Sequence, residues 1–367
     1  MMVDDIGFLE ATEVAAPAKV NLALLVGPSR PDGFHEIASL MLPVTLADLV
    51  IVRRTPGEDL RVDCVVCPGE QNLAARMVRE LERRFERRFE IAVEVCKQIP
   101  VGAGLAGGSS DAAATLIALE RLYGLDLSPQ LCYEAAAAVG SDVPFFLWPG
   151  PQLAMGRGQL LKDVVLPAPL HLVIAVPEPA LSTSAVYGWR DEDVQVTLAD
   201  FAPRARMLSS RIAAAHTLHD VAALVENDLE ASVLARRPEV GALRDRVRAE
   251  GAVAAAMTGS GAAVFGLFAD DEAASRARAR LLAADAAASE DDAPDAAGRV
   301  SPARVFCVTD LQAAPEGAGR GAPGAAGPRP AGSSGGPRAP AGSGPRRGRS
   351  GPPARRGGPA RRRPHAR

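Results

Sequence analysis

The stretch Pro100-Val101-Gly102-Ala103-Gly104-Leu105-Ala106-Gly107-Gly108-Ser109-Ser110 sets four glycines and two serines in eleven residues, then runs into Asp111-Ala112-Ala113-Ala114-Thr115-Leu116. Glycine lets a backbone turn tightly and approach a ligand with no Cβ in the way. The alanine-rich continuation predicts a helix. Its first N–H groups are unpaired and carry the positive end of the helix dipole. Together the two make a seat for a phosphate chain. Upstream, Ile91, Val93 and Val95 alternate as in a strand, so the order is strand, glycine loop, helix.

Several glycine loops fit such an order. Gly102, Gly104 and Gly107 match G-x-G-x-x-G, the dinucleotide fingerprint, which also needs an acidic residue ending a second strand about twenty residues on. Here that region, 119–127, reads as helix and helix end. A Walker A loop needs a lysine before its hydroxyl residue, and Gly108-Ser109-Ser110 has none. A protein-kinase loop needs HRD and DFG partners, and neither triplet occurs. A purely structural loop stays open. The two serines either cap the helix or touch a metal–phosphate group.

Elsewhere the pattern alternates between strands and helices. Residues 1–13 are acidic and expected to fray. Val20, Leu22, Leu24 and Val26 predict a strand, with Lys19 and Asn21 on its opposite face. An Arg-Pro-Asp-Gly turn at 30–33 leads to Phe34-His35-Glu36 and a second apolar segment, 40–52. Helices are predicted over 72–85, 111–123 and 128–139, the last capped by Ser128 and stopped by Gly140. Then comes Gly140-Ser141-Asp142-Val143-Pro144, followed by a strand–turn–strand over 146–161 and an apolar strand over 170–176. A second strand–turn–strand surrounds Thr258-Gly259-Ser260-Gly261; a helix over 272–288 and a strand over 304–309 finish the pattern. Taken singly, Lys19 reads as a solvated lysine, Asp142 as turn chemistry and Ser182-Thr183-Ser184 as a helix cap. His171, His216, His219 and His365 read as structural or exposed, and His216 and His219 as a surface pair on one helix.

The glycine loop resembles the phosphate loop of the GHMP kinase superfamily, Pro-x-Gly-x-Gly-Leu-Gly-Ser-Ser-Ser. Its extra Gly107-Gly108 before the serines resembles the 4-diphosphocytidyl-2-C-methyl-D-erythritol kinase branch, with Ala106 standing where that branch has glycine. Pro17-Ala18-Lys19-Val20-Asn21-Leu22 is similar to the branch's first motif, and Gly33-Phe34-His35-Glu36 to its Gly-Tyr-His-Glu element. Gly140-Ser141-Asp142-Val143-Pro144 is similar to Gly-Ala-Asp-Val-Pro, and Thr258-Gly259-Ser260-Gly261 to the third superfamily motif. The resemblance spans about residues 14–312.

It implies an α+β chain with the two-domain GHMP kinase fold: a ribosomal-protein-like first domain over 14–166 and a ferredoxin-like second domain over 167–312. It implies ATP-dependent phosphorylation of a 2-hydroxyl on a cytidine-diphosphate polyol of non-mevalonate isoprenoid synthesis. Lys19 and Asp142 would be catalytic, Asp142 as base and Lys19 holding it ionised. Residues Pro100 to Ser110 would hold ATP. Phe34 and Tyr187 would stack on cytosine, His35 would bond its edge, and Asn21 and Thr183 would line the substrate site. Magnesium is expected with the ATP, although no dedicated carboxylate cage is visible.

Composition bounds the rest. The 367 residues suffice for one or two domains with ample core. No opening basic-then-apolar segment reads as a signal peptide and no run of about twenty apolar residues reads as a span, so a cytoplasmic protein without membrane partners is expected. Of five cysteines, Cys64 and Cys67 have CxxC spacing within LRVDCVVCP, which reads as a core strand rather than metal or redox chemistry. From Ala313 the chain holds twelve arginines and one glutamate among Ala, Gly, Pro and Ser, a composition that buries no core. The tail is read as a solvated extension and is the one segment suited to nucleic acid. A monomer or homodimer is expected.

Overall fold

The computed structural model describes residues 10–290 and 304–311. Two long strands, β1 (Ala11–Ser29) and β2 (His35–Arg54), pair antiparallel around the turn at 30–34 and form the spine of the molecule. There follow β3 (Arg61–Asp63), α1 (Leu73–Phe85), β4 (Ile91–Cys96), α2 (Gly107–Tyr123), α3 (Pro129–Val139), a 3₁₀ turn (Pro144–Leu147), β5 (Gln152–Gly156) and β6 (Leu160–Asp163). The chain continues through β7 (His171–Val176), α4 (Thr183–Asp193), α5 (Leu198–Ala213), α6 (Leu218–Leu224), β8 (Glu226–Asn227), α7 (Glu230–Arg236) and α8 (Pro238–Ala249). It ends with β9 (Ala254–Met257), β10 (Val264–Phe268), α9 (Asp271–Glu290) and β11 (Arg304–Thr309).

The strands make two sheets. The first is seven-stranded, running β3-β4-β2-β1-β8 with β5 on β2 and β6 on β5; the second runs β11-β7-β10-β9. The passage from one to the other falls between β6 and β7, near residue 167, but β8 returns to the first sheet beside β1. Apolar residues of both sheets share one core, which joins Val20, Leu22 and Leu40 to Leu172, Ile174 and Phe265. A second core lies under α1, α2 and α3, whose periodic Met77, Leu81, Leu116 and Leu119 are fully buried.

Local sequence explains the helix starts. Asn72 accepts from the N–H of Ala74 at the head of α1, and Ser128 from that of Leu131 at the head of α3. Each such cap stabilises by about 1 kcal/mol.

Five expectations are corrected. A β-bulge between Asn21 and Ala23 switches the facing of β1, so Leu24 and Val26 part from Val20 and Leu22 and pack into a different core. Pairing of β1 reaches back to Ala11, opposite Arg53, so the amino-terminal fray does not extend to residue 13. Phe145 and Phe146 lie in the 3₁₀ turn rather than a strand, because Pro144 fixes its φ and lacks an N–H for a ladder. Cys64-Val65-Val66-Cys67 is a loop: β3 ends at Asp63, and Val65 is 99% exposed. His216 precedes α6, whose N-cap is Thr217, so only His219 of the exposed pair is helical. The basic tail from Ala313 lies outside the described residues, as do residues 291–303.

Candidate active site

The glycine loop leaves β4 and enters α2, and the helix starts inside it, at Gly107. Gly102 and Gly104 take φ of +68° and +79°, the left-handed region that favours glycine. Ala106 also lies there, at φ 56°, as the N-cap of α2 with no side-chain cap. The loop is tied down on two sides. Leu105 O accepts from the N–H of Lys19, and Ala103 O from that of Ala263. Gly104 is pressed against the 258–261 turn so closely that a Cβ on it would stand 2.4 Å from Thr258 O.

Lys19 sits on β1 beneath this loop, 3% exposed. Its ammonium donates to Asn21 Oδ1 at 2.5 Å and to Gly104 O at 2.9 Å. Burial pulls its pKa below the ordinary lysine range, and the negative charge of Asp142 partly restores it. Lys19 and Asp142 are thus electrostatic partners, while the direct bonds of the ammonium go to Asn21 and the loop. Asn21 donates from Nδ2 to Ser39 Oγ, and its backbone N–H donates to Thr258 Oγ1. The amide oxygen of Asn21 therefore holds Lys19, its amide nitrogen is anchored on Ser39, and its backbone N–H ties β1 to the 258–261 turn. Asn227, on β8, fixes that turn by donating to Met257 O and Gly259 O.

Asp142 is half-buried in the turn between α3 and the 3₁₀ turn. Phe34 projects from the turn between β1 and β2, 44% exposed, with the Arg157 guanidinium 5.0 Å over its ring. His35 opens β2 and lies 4.9 Å, centroid to centroid, from Tyr187 of α4. The Tyr187 hydroxyl is pushed above its ordinary pKa by burial and by the charge of Asp142. At the head of α4, Thr183 Oγ1 lies 2.9 Å from Ser260 Oγ, which links this wall to the third glycine turn. One cavity of about 930 Å³ is lined by Lys19, Asn21, Phe34, His35, Asp142, Thr183, Tyr187 and the loop from Pro100 to Ser109. Ser110 alone of the expected residues does not line it. It is 1% exposed, and its Oγ has no hydrogen-bond partner among the described residues.

Sequence reading missed a buried ion cluster on the same wall. Lys97 Nζ lies 2.5 Å from Asp48 Oδ2 and 2.8 Å from Asp111 Oδ2, and both Lys97 and Asp111 line the cavity. Burial raises the Asp111 carboxyl to about 7 against the opposing charge of Lys97, and its Oδ1 has no partner among the described residues. Asp48 also accepts from the N–H groups of Gln98 and Ile99, which fixes the chain entering the loop. Only Asp111, adjoining the serines, carried a signal in the sequence. Asp191 was missed too, although it stands one helical turn after Tyr187. Cys64 and Cys67 reach the rim of the same cavity.

Among the described residues no group of three or more His, Cys, Asp or Glu side chains is arranged to hold a metal, and no helix is long and apolar enough to cross a membrane.

Residues 72–150 match the family model for the GHMP kinases N terminal domain, and residues 212–287 that for the GHMP kinases C terminal domain. A 4-diphosphocytidyl-2-C-methyl-D-erythritol kinase from Symbiobacterium thermophilum is 39% identical over 283 residues, covering 75% of this chain and 97% of its own length. One from Anaeromyxobacter sp. is 43% identical, covering 74% of this chain and 86% of that protein. A crystal structure of 4-(cytidine 5'-diphospho)-2C-methyl-D-erythritol kinase superposes with a TM-score of 0.64 at 32% identity, over 82% of this chain and all of that one. A homoserine kinase from Cytophaga hutchinsonii superposes with the same TM-score at 16% identity, over 85% of this chain and 98% of that one, which shows a common fold.

Proposed function

The chain belongs to the 4-diphosphocytidyl-2-C-methyl-D-erythritol kinase family of GHMP kinases, and we propose that its cavity transfers the γ-phosphoryl group of ATP to the 2-hydroxyl of 4-diphosphocytidyl-2-C-methyl-D-erythritol. The observation that carries this reading is the convergence of three functions in one cavity. A glycine loop ending in a helix N-terminus faces a lysine–aspartate pair, and both face an aromatic pocket with a histidine at its back.

Phosphoryl transfer asks little covalent work of a protein; positioning and charge stabilisation dominate. The loop amides and the N-terminus of α2 would bind the phosphates of ATP. Asp142 would accept the proton of the acceptor hydroxyl as its oxygen attacks the γ-phosphorus, and ADP would leave. Lys19, held by Asn21 and Gly104, would face the charge that gathers on the transferred group. Phe34 and Tyr187 would grip the cytosine ring, with stacking contributing about 1–3 kcal/mol per aromatic.

Magnesium fits this site. Asp111 Oδ1, on the cavity wall, is a buried oxygen without a partner among the described residues, as is Oγ of the adjacent Ser110, and the ion is usually held by one or two carboxylates together with substrate phosphates. Bound there with ATP, it would supply positive charge to the phosphates.

A coupled ADP-release assay tests the reading by comparing the cytidine substrate with homoserine and mevalonate. Turnover is expected with the cytidine compound alone. Faster turnover of either rival would overturn the substrate assignment.

A further inference from the structure

Among the described residues His35 hydrogen-bonds through one ring nitrogen. Its Nε2 lies 2.9 Å and 3.0 Å from the two carboxylate oxygens of Asp191, and its side chain is only 8% exposed. An ionised carboxylate can only accept. The proton of a neutral imidazole is therefore held on Nε2, which leaves Nδ1 as a lone-pair acceptor. Asp191 is itself fixed in place. The Arg190 guanidinium lies 3.4 Å from its Oδ1 and donates to Val26 O at 2.6 Å, while Gln195 Nε2 donates to Asp191 O. Tyr187 and Asp191 stand four residues apart on α4, so one helix face delivers both the stacking ring and the carboxylate behind His35.

We propose that Asp191 sets the pyrimidine preference of the site: it holds His35 in the tautomer whose Nδ1 accepts a hydrogen bond, and so favours a base bearing an exocyclic amine over one bearing a carbonyl. The inference rests on the cytidine reading of the cavity. Cytosine carries an amino donor at the position where uracil carries a carbonyl acceptor. A carbonyl facing the Nδ1 lone pair leaves two desolvated acceptors opposed, and a site built to receive a hydrogen bond rejects strongly the analogue that cannot give it. Asp191 does not touch the base in this scheme; it is a positioning residue that acts through His35. An asparagine there could accept from Nε2 or donate to it, so the tautomer would no longer be fixed.

The test measures kcat/KM for 4-diphosphocytidyl-2-C-methyl-D-erythritol and its uridine counterpart in the wild type, Asp191→Asn and Asp191→Glu. The ring nitrogens of His35 are observed by ¹⁵N NMR without substrate. The wild type is expected to favour the cytidine compound and to carry its imidazole proton on Nε2. Asp191→Asn is expected to lower the cytidine-to-uridine ratio at least tenfold, mainly through KM, with the KM for ATP unmoved. Asp191→Glu, still acceptor-only, should keep more of the ratio than asparagine does. An unchanged ratio in Asp191→Asn overturns the inference, as does a wild-type ring protonated on Nδ1 or on both nitrogens. Equal turnover of the two compounds by the wild type likewise overturns the inference and leaves the cytidine reading standing; no turnover of either would sink the cytidine reading itself, and the spectra would then report separately on the hold of Asp191 over His35.

Discussion

Replacing Gly104 with alanine tests how the phosphate loop is seated. The new Cβ would stand 2.4 Å from Thr258 O, 3.0 Å from Gly261 N and 3.2 Å from Gly261 O, all backbone atoms that cannot swing aside. Forcing a methyl into a packed site costs about 1–3 kcal/mol. Gly104 also has φ +79°, where an L side chain costs about 1–2 kcal/mol. The stiffer unfolded chain returns about 0.4–1 kcal/mol. The net loss is about 1–5 kcal/mol against a typical stability of about 5–15 kcal/mol, and at about 2–4 °C per kcal/mol the melting temperature should fall by roughly 2–20 °C. Because Gly104 O accepts from the Lys19 ammonium, the KM for ATP should rise with the shift of the loop. The control is Gly108→Ala: its Cβ meets only Leu73 Cδ1 at 3.7 Å, in the first turn of α2, where alanine is the better helix former. Calorimetry on both variants decides. A Gly104→Ala protein that melts within about a degree of Gly108→Ala would refute the seating of the loop against the 258–261 turn.

Ala106 holds a left-handed φ of 56°, so Ala106→Gly should gain up to about 1.6 kcal/mol once the freer unfolded chain is set against the relieved strain; a lowered melting temperature would contradict this. Asp142→Asn should cut turnover by about a hundredfold or more, and near-normal turnover would remove Asp142 as the base. The same variant bears on Lys19. The charge of Asp142 raises the pKa of Lys19 against burial, so neutralising it should let the ammonium lose its proton at lower pH. Lys19 acylation followed by mass spectrometry across pH should show an earlier midpoint, and an unmoved or later one counts against the coupling. Phe34→Ala and Tyr187→Ala should each raise the KM for the cytidine compound and spare that for ATP; the reverse pattern would assign the aromatic pocket to the wrong ligand.

Much of this architecture was legible because its signals are local. Strand β4, the capped helix α3 and the helix after the glycine loop follow from periodicity and cap residues within a few positions of each other. Lys19 and Asn21 were paired by the two-residue period of a strand, and they keep a common face because the bulge falls just after Asn21. That bulge was not legible, since an extra residue in a ladder depends on the partner strand. The cluster of Lys97 with Asp48 and Asp111 was hidden for a similar reason. Its members come from β2, the end of β4 and the first turns of α2, and no spacing in the chain announces that they meet. In Cys64-Val65-Val66-Cys67 the apolar composition predicts burial correctly for Cys64, which joins the second core, and wrongly for Val65 and Val66, which face solvent; Pro68 and Gly69, directly after, are the better sign of a loop. Asp191 could have been found by asking what else shares a helix face with Tyr187.

Lys19 and Asn21 are set in a nineteen-residue strand whose neighbours are buried on either side. Phe34 hangs from a surface turn, and Tyr187 and Asp191 from the helix that lies across from it. Under the roles proposed above, the two halves of the task therefore differ in how freely they can drift. A change at Lys19 disturbs a strand paired on both edges, whereas the exposed turn at 30–34 can be redrawn with little loss of core. Exchange of one acceptor molecule for another is open to such a protein by small steps at its surface, while the transfer of phosphate stays locked to the act of folding.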